Sequence, residues 1–437
     1  MKKDIRKQLH YFLIVTFITL SGSISFAQAP DSWVLKKDYG TTSDSVYGAV
    51  AFSIGNKGYM GTGYSKKRLI SFWEYDPNTD TWSQKANFSG TARVFASGFS
   101  IGNKGYVGCG DDNNTANLHG SKDFWQYDPA LNQWNKKSDF GGVPRRGAVG
   151  FSIGNKGYLG AGRIDEPKQG APAYDFKFKD FWEYDPVADK WTQKEDIGGT
   201  LGKVIAFPAG FAIGNKGYVG TGHDLTSYIK DFWEFDPTYV DPGTNENTGK
   251  WYRKADFPGT ARYGAVGMGI GEFGYIGTGM IPGGLANDLW EYDPQTDSWT
   301  RRADFGGTKR YLAAAFSIGN TGYIGTGQID ANVYPGINTK DFWQYTPAVI
   351  LSISEKPGKL TEEDFSIQQN NGQICITSNV PYDAEIDLRN LMGQVIQQEQ
   401  CAGNNTIKFS TNSVQHGIYI IDINYAHSHS SKKLLIN

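Results

Sequence analysis

One eight-residue phrase constrains this chain more than any other feature. Phe-Ser-Ile-Gly-Asn-Lys-Gly-Tyr opens at Phe52 and is followed by Gly61 and Gly63. It returns, with small changes, at Phe99–Tyr106, Phe151–Tyr158, Phe211–Tyr218, Met268–Tyr275 and Phe316–Tyr323. The first residue and the Tyr keep one spacing in all six copies, as do the Tyr and the second Gly of the Gly-x-Gly. Self-similarity this regular settles architecture before composition is considered. Each copy reads as a tight β-hairpin. Ala49–Ile54 is a strand, Gly-Asn-Lys-Gly supplies the turn, and Tyr59–Gly63 is the return strand. Glycine within a strand marks close approach of another backbone, so six glycine pairs at one register predict strands crowded around a common axis.

A second block follows each hairpin: Phe72–Pro77, Phe124–Pro129, Phe181–Pro186, Phe232–Pro237, Leu289–Pro294 and Phe342–Pro347. Its aromatic density predicts a third strand, ended by Asp-Pro in five of the six. A fourth strand opens at Trp82, Trp134, Trp191, Trp251 and Trp299, with an insertion at Tyr239–Lys250 before Trp251. The repeat is therefore four strands, a to d. After the sixth c strand no Trp follows; its counterpart lies at the front, in Trp33–Asp38. Pairing that lone d strand with residues 316–347 closes a ring of four-stranded sheets. This predicts an all-β, six-bladed propeller spanning 30–348, with most sheet edges protected. The twelve Trp fall at fixed blade positions and read as packing between blades, each stabilising by ~1.5–3 kcal/mol through burial.

The a strand of small residues, the glycine pair after a Tyr, a further Tyr (Tyr75, Tyr127) and a Trp shortly beyond it (Trp82, Trp134) resemble the kelch repeat, over roughly residues 32–348. One departure is the Gly-x-Gly, where kelch repeats carry adjacent glycines. The resemblance implies a β-propeller and leaves function open, since such propellers serve as scaffolds, receptors and occasionally enzymes.

In an antiparallel blade the a-b and c-d turns share one face, and the b-c and d-a connections share the other. The b-c loops hold 8, 13, 18, 9, 9 and 14 residues. Binding residues concentrate on variable loops held by a rigid scaffold, so the b-c/d-a face is the expected ligand face. Candidate ligand-binding residues are Arg93, Arg145, Arg262 and Arg310, each six residues before the Phe or Met of strand a, with Arg146, Tyr263 and Tyr311 just after them. Arg163 and His223 open b-c loops, as do Tyr64 and Asp111-Asp112. The competing reading of the four regular Arg is structural, tying loop carbonyls between blades. Asp111–Asn114 lacks the spacing of a calcium loop, and no metal or cofactor is assigned.

Net charge is −2, with no basic face to suggest nucleic acid. Residues 1–27 read as a signal peptide. Lys2, Lys3, Arg6 and Lys7 precede the apolar Tyr11–Leu20, with small residues before a cut after Ala27. The apolar run is short for a membrane span, so no span is expected in the mature chain. Cys109 replaces Thr or Ala within a Gly-x-Gly and reads as a buried filler. Cys375 and Cys401 can form a disulfide only if an exported fold brings them together. The propeller holds only His119 and His223, which is thin for catalysis. A copper-radical oxidase would need two His ligands and a Tyr-Cys cross-link. A propeller of the kind that interconverts sialic-acid anomers needs only a few Arg, His or carboxylate groups.

A linker is expected at 349–365, after which strands at Ile374–Thr377, Ala384–Asn390, Thr406–Ser410 and Gly417–Tyr425 predict a small β-sandwich over 366–437. Asn390–Ile396, Gly417–Ile420 and Lys432–Ile436 resemble the C-terminal sorting domain of the bacterial type IX secretion system. That implies secretion machinery as a partner and a secreted or cell-surface address. The chain thus reads as an exported, non-catalytic binding module for an extracellular glycan or protein. A sugar-modifying enzyme of mutarotase type and a purely structural surface protein are the alternatives.

Overall fold

A computed structural model describes residues 31–436 apart from 41–44, 115–118, 165–176, 200–201, 225, 331–335, 348–364, 371–372, 391–392, 411–416 and 426–427. The signal-peptide reading at 1–27 and nearly all of the expected linker lie outside the described residues.

Six four-stranded antiparallel sheets are built from consecutive repeats. In blade 1 strands a to d are Val50–Ile54, Lys57–Gly61, Phe72–Asp76 and Thr81–Gln84. Blades 2 to 5 repeat this order, beginning at Ser97, Val149, Ala209 and Val266. Blade 6 takes strands a to c from Ala314–Ile318, Thr321–Gly325 and Phe342–Thr346. Its d strand is Ser32–Lys36, and Trp33 pairs with Tyr345 across that seam. Each a strand touches the a strand of the next blade, and the last touches the first, so the sheets close into a ring. Among the described residues no helix is long and apolar enough to cross a membrane.

Alternation along the strands explains the packing. Val50, Phe52 and Ile54 are buried while Ala51 and Ser53 are half-buried. The c-strand aromatics Phe72, Tyr75, Phe124 and Tyr127 are fully buried. The d-strand Trp binds blade to blade. Its indole N–H donates to the carbonyl just after the preceding blade's d strand: Trp82 to Lys37, Trp134 to Ala86, Trp191 to Ser138, Trp251 to Glu195, Trp299 to Ala255 and Trp33 to Ala303. In five blades its ring meets the previous blade's c-strand Phe edge-on, as Trp82 meets Phe342 at 5.0 Å.

Two expectations need correction. Strand b stops at the first glycine of each Gly-x-Gly. The middle residue (Thr62, Cys109, Ala161, Thr221, Thr278 or Thr326) sits at φ of 55–59°, and the second glycine, at φ of 94–109°, turns the chain out of the sheet. Its N–H then donates to the d-a segment of the next blade, from Gly63 to the carbonyl of Arg93 and so around to Gly327 and Val46. The close backbone approach is real, but it is made by chain leaving the sheet.

The second correction concerns the C-terminal region. There, Gln373–Asn390 and Val395–Ser410 are long strands where shorter ones were expected, with register shifts between Thr377 and Ala384. The first pairs with Phe365–Asn370 at one end and Gly417–Tyr425 at the other, so one bent strand serves two sheet halves. Ile374, Ile376, Ile386, Leu388, Ile421 and Ile423 are the buried apolar residues of this region among the described side chains, and Asp387 is buried with them. Cys375 pairs with Lys408 and Cys401 with Ala384, so the two cysteines do not face each other across the ladder. Their side chains lie outside the described residues.

Candidate functional site

Each d-a segment enters the ring through three successive residues. The first is Val46, Arg93, Arg145, Ile205, Arg262 or Arg310. All four arginines are buried, at 0–1% exposure. Each grips the Asp two residues before the c-strand Trp of its own blade through both Nη atoms, at 2.6–2.8 Å: Asp123, Asp180, Asp288 and Asp341. Each also donates to the carbonyl of the middle Gly-x-Gly residue, Cys109, Ala161, Thr278 or Thr326. The same Asp accepts the indole N–H of Trp125, Trp182, Trp290 or Trp343. Burial pushes the carboxyls of Asp123, Asp288 and Asp341 up. The Arg contacts, reinforced by the indole N–H, outweigh this and hold them below the usual carboxylate value. The four arginines therefore staple each d-a segment to its b-c loop and do not line the cavity. Expecting them there was an error of one residue: consecutive side chains in extended backbone point opposite ways, and the successor faces the axis.

That successor is Tyr47, Val94, Arg146, Ala206, Tyr263 or Tyr311. Each forms an isolated β-bridge with the residue after the Gly-x-Gly: Tyr64, Asp111, Arg163, His223, Met280 or Gln328. Eleven of these twelve residues line a cavity of about 740 Å³ on the b-c/d-a face. The structure thus brings together five predicted residues, Arg146, Arg163, His223, Tyr263 and Tyr311, along with Tyr64 and Asp111. Sequence reasoning missed Arg68, Tyr47, Tyr228, Gln328 and the floor.

The floor is the third residue of each segment: Gly48, Phe95, Gly147, Phe207, Gly264 and Leu312. Their amides form a closed ring of six hydrogen bonds of 2.8–3.1 Å, each N–H donating to the preceding blade's carbonyl. All six have φ between 52° and 62°. Three are glycine, for which this is free; Phe95, Phe207 and Leu312 hold a conformation that bulky residues rarely adopt. A Cβ on Gly48 would lie 2.6 Å from Phe95, and one on Gly147 would lie 2.5 Å from Phe207. Each glycine therefore makes room for its neighbour's ring. A signal for this was present, since one repeat position alternates glycine with a bulky residue.

The walls divide by chemistry. On one side Asp111 is held between Arg68 (Nη2 to Oδ1, 2.8 Å) and Arg146 (Nη1 to Oδ2, 2.7 Å), with Arg163 beside Arg146 across their bridge. Burial pushes the Asp111 carboxyl up; Arg68, the Asn113 N–H and Arg146 more than offset this and hold it low. On the other side aromatic rings run in a chain. His223, Tyr228, Tyr263 and Tyr311 follow one another at centroid distances of 5.0–6.0 Å, and Tyr47 stands 5.5 Å from Tyr64. The His223 Nδ1 lies 2.6 Å from the Lys177 ammonium. Burial, Lys177 and Arg163 lower its pKa against the opposing pull of Asp224. Among the described residues no three His, Cys, Asp or Glu cluster to hold a metal ion.

Comparison with known proteins bears on both regions. The chain is similar to the solved structure of YjhT, with a TM-score of 0.57 at 16% identity over 70% of this chain and 95% of YjhT. With the ring of sheets, this defines a β-propeller. Residues 370–437 match the secretion system C-terminal sorting domain. The propeller is thus cargo of type IX secretion, exported to the cell surface or beyond. No curated protein matches the chain.

Proposed function

We propose that this protein is an exported, non-catalytic binding module whose cavity takes an anionic saccharide from outside the cell. One observation carries the reading. The six repeats are near-identical in hairpin, c strand and Trp, yet the two positions facing the cavity hold eight residue types among their twelve members (Tyr, Val, Arg, Ala, Asp, His, Met, Gln). Variation this wide at the cavity-facing positions is what a ligand of no sixfold symmetry requires. Three arginines against one aspartate favour an anion, and guanidinium groups match carboxylate or sulfate geometry. Tyrosines supply apolar faces with hydroxyl tips suited to sugar rings. The volume falls in the ~300–1,000 Å³ range of small-molecule sites.

The test is a glycan-array screen of the full chain, followed by calorimetry with the acidic saccharides that bind and their neutral counterparts. Binding of acidic but not neutral sugars, lost in Arg163→Gln, is expected. A blank array would turn the reading toward a protein partner. A second reading, sugar modification of mutarotase type, is favoured by the Lys177–His223 contact: the ammonium donates to Nδ1, so the neutral imidazole keeps its proton on Nε2 and can donate it to a sugar oxygen. Faster anomer exchange of a bound acidic sugar by NMR, abolished in His223→Asn, would establish it.

A further inference from the structure

The floor of the cavity limits how a ligand can sit. A second hollow of about 120 Å³ lies on the axis, lined by Ala49, Ala96, Ala148, Pro208, Ala265 and Ala313 among others. It shares with the main cavity only Phe95, Phe207 and Leu312. Those three side chains are therefore the partition between the two. The Phe95 and Phe207 rings meet edge-to-face at 5.0 Å. The backbone beneath them is locked by the ring of six hydrogen bonds. The walls run round the whole ring, because residues of all six blades take part: Tyr64, Asp111, Arg163, His223, Tyr263 and Gln328 come one from each. Strain points the same way. Glycine fills the left-handed position in three blades without cost, and three blades keep a bulky residue there despite it. Retaining three large apolar side chains at strained positions makes sense if they form a surface that something rests on.

We infer that the cavity reads the terminus of an acidic glycan, end-on, with the last sugar ring resting on Phe95, Phe207 and Leu312. This rests on the anionic-saccharide reading and adds a geometry to it. A linear chain can enter a pit closed at its base only by an end. Internal residues of a polysaccharide cannot reach the floor while their neighbours continue in both directions. The terminal ring presents its apolar face to the phenyl rings, as sugars do to aromatic surfaces. Its carboxylate is then at the level of the arginine wall.

The experiment uses the full chain and a panel of oligogalacturonides, oligomannuronates and oligosialosides, each from the monomer to long oligomers, with one set blocked at both ends. Calorimetry gives affinity and stoichiometry per glycan chain. End-on reading predicts an affinity that levels off after the first few residues, varying by less than about threefold beyond. It also predicts stoichiometry set by the number of open ends, and no binding of the blocked chains. Phe207→Gly places in blade 4 the residue that blades 1, 3 and 5 already carry, so the backbone ring is preserved. It is expected to weaken the monomer about tenfold. Affinity that climbs steadily with length, several protein copies per chain, binding of blocked chains, or an unchanged Phe207→Gly would each overturn end-on reading while leaving the saccharide reading in place. Failure of every probe to bind would remove the saccharide reading and this inference together.

Discussion

Replacing Arg310 by Met separates a staple from a ligand contact. Arg310 is fully buried, holds Asp341 through two contacts of 2.7 Å and donates to the carbonyls of Thr308 and Thr326. Its guanidinium lies 4.7 Å over the Phe305 ring. Methionine keeps much of the packing but strands a carboxylate. Breaking a buried pair from one side costs about 3–5 kcal/mol. Asp341 keeps some solvent exposure and the donors of Thr339 and Trp343, so the low end, about 3 kcal/mol, is expected. For a domain of this size that lowers Tm by roughly 5–10 °C. The pH dependence has a definite sign. The Asp341 pKa is lower in the fold than in the unfolded chain, so the pair stabilises above the unfolded value of about 3.9. That contribution is lost as pH falls through the folded value. The gap between wild type and variant should thus close below about pH 4. Adding Asp341→Asn should recover part of the loss, since no orphan charge remains. Thermal denaturation across pH reads all three outcomes. An Arg310→Met protein of wild-type stability that no longer binds ligand would refute the reasoning and return Arg310 to the cavity.

Three further outcomes follow from the same geometry. Cys109 is fully buried and desolvation pushes its thiol up to about 12, so it should resist thiol reagents in the native protein and react on unfolding in urea. His223 should titrate below the usual value of about 6.5 in NMR spectra, because burial, Lys177 and Arg163 disfavour its charged form; its protonation should therefore cost stability as pH falls below that value, a loss that His223→Asn removes. Trp33→Ala deletes the indole bond to Ala303 and the ring packed on Phe305 and Tyr345 at the closing seam; a loss of about 3–5 kcal/mol in chemical denaturation is expected, and near-wild-type stability would show that closure does not depend on it.

Much of the fold was legible because the repeat carries its own register. A Tyr and two glycines at constant spacing fix a hairpin, and a Trp missing at one end and present at the other fixes the closure at Trp33. Gly-x-Gly misled, because residues such as Thr62 give no hint that they will adopt positive φ. The site was half legible. Arg146, Arg163, His223, Tyr263 and Tyr311 were found from loop position alone. Arg93, Arg145, Arg262 and Arg310 were placed beside them because the eye follows regularity. Yet regularity is the mark of a shared structural task, and an Asp precedes the c-strand Trp in each of the four blades with such an Arg. Blade 1, with Val46, has Ser71 there. Blade 4 has Ile205 and retains Asp231, and its Trp233 indole finds no hydrogen-bond partner among the described residues. Phe95, Phe207 and Leu312 went unread: their alternation with glycine is visible in the repeat, but the ring of backbone bonds is what shows that these residues share one floor.

The most direct measurement is calorimetric titration of the full chain with an acidic saccharide selected on the array, comparing wild type with Arg163→Gln and Arg146→Gln. Each arginine lines the cavity; Arg146 also pairs with Asp111 of the neighbouring blade, so Arg163→Gln is the variant that serves as the stability control. Loss of one charge-assisted contact, about 1.5–3 kcal/mol, predicts affinity reduced roughly 10- to 150-fold in either variant, with the Tm of Arg163→Gln within a degree or two of wild type and that of Arg146→Gln lowered by the lost Asp111 pair. Undiminished affinity in both variants would contradict the assignment of the cavity as the ligand site.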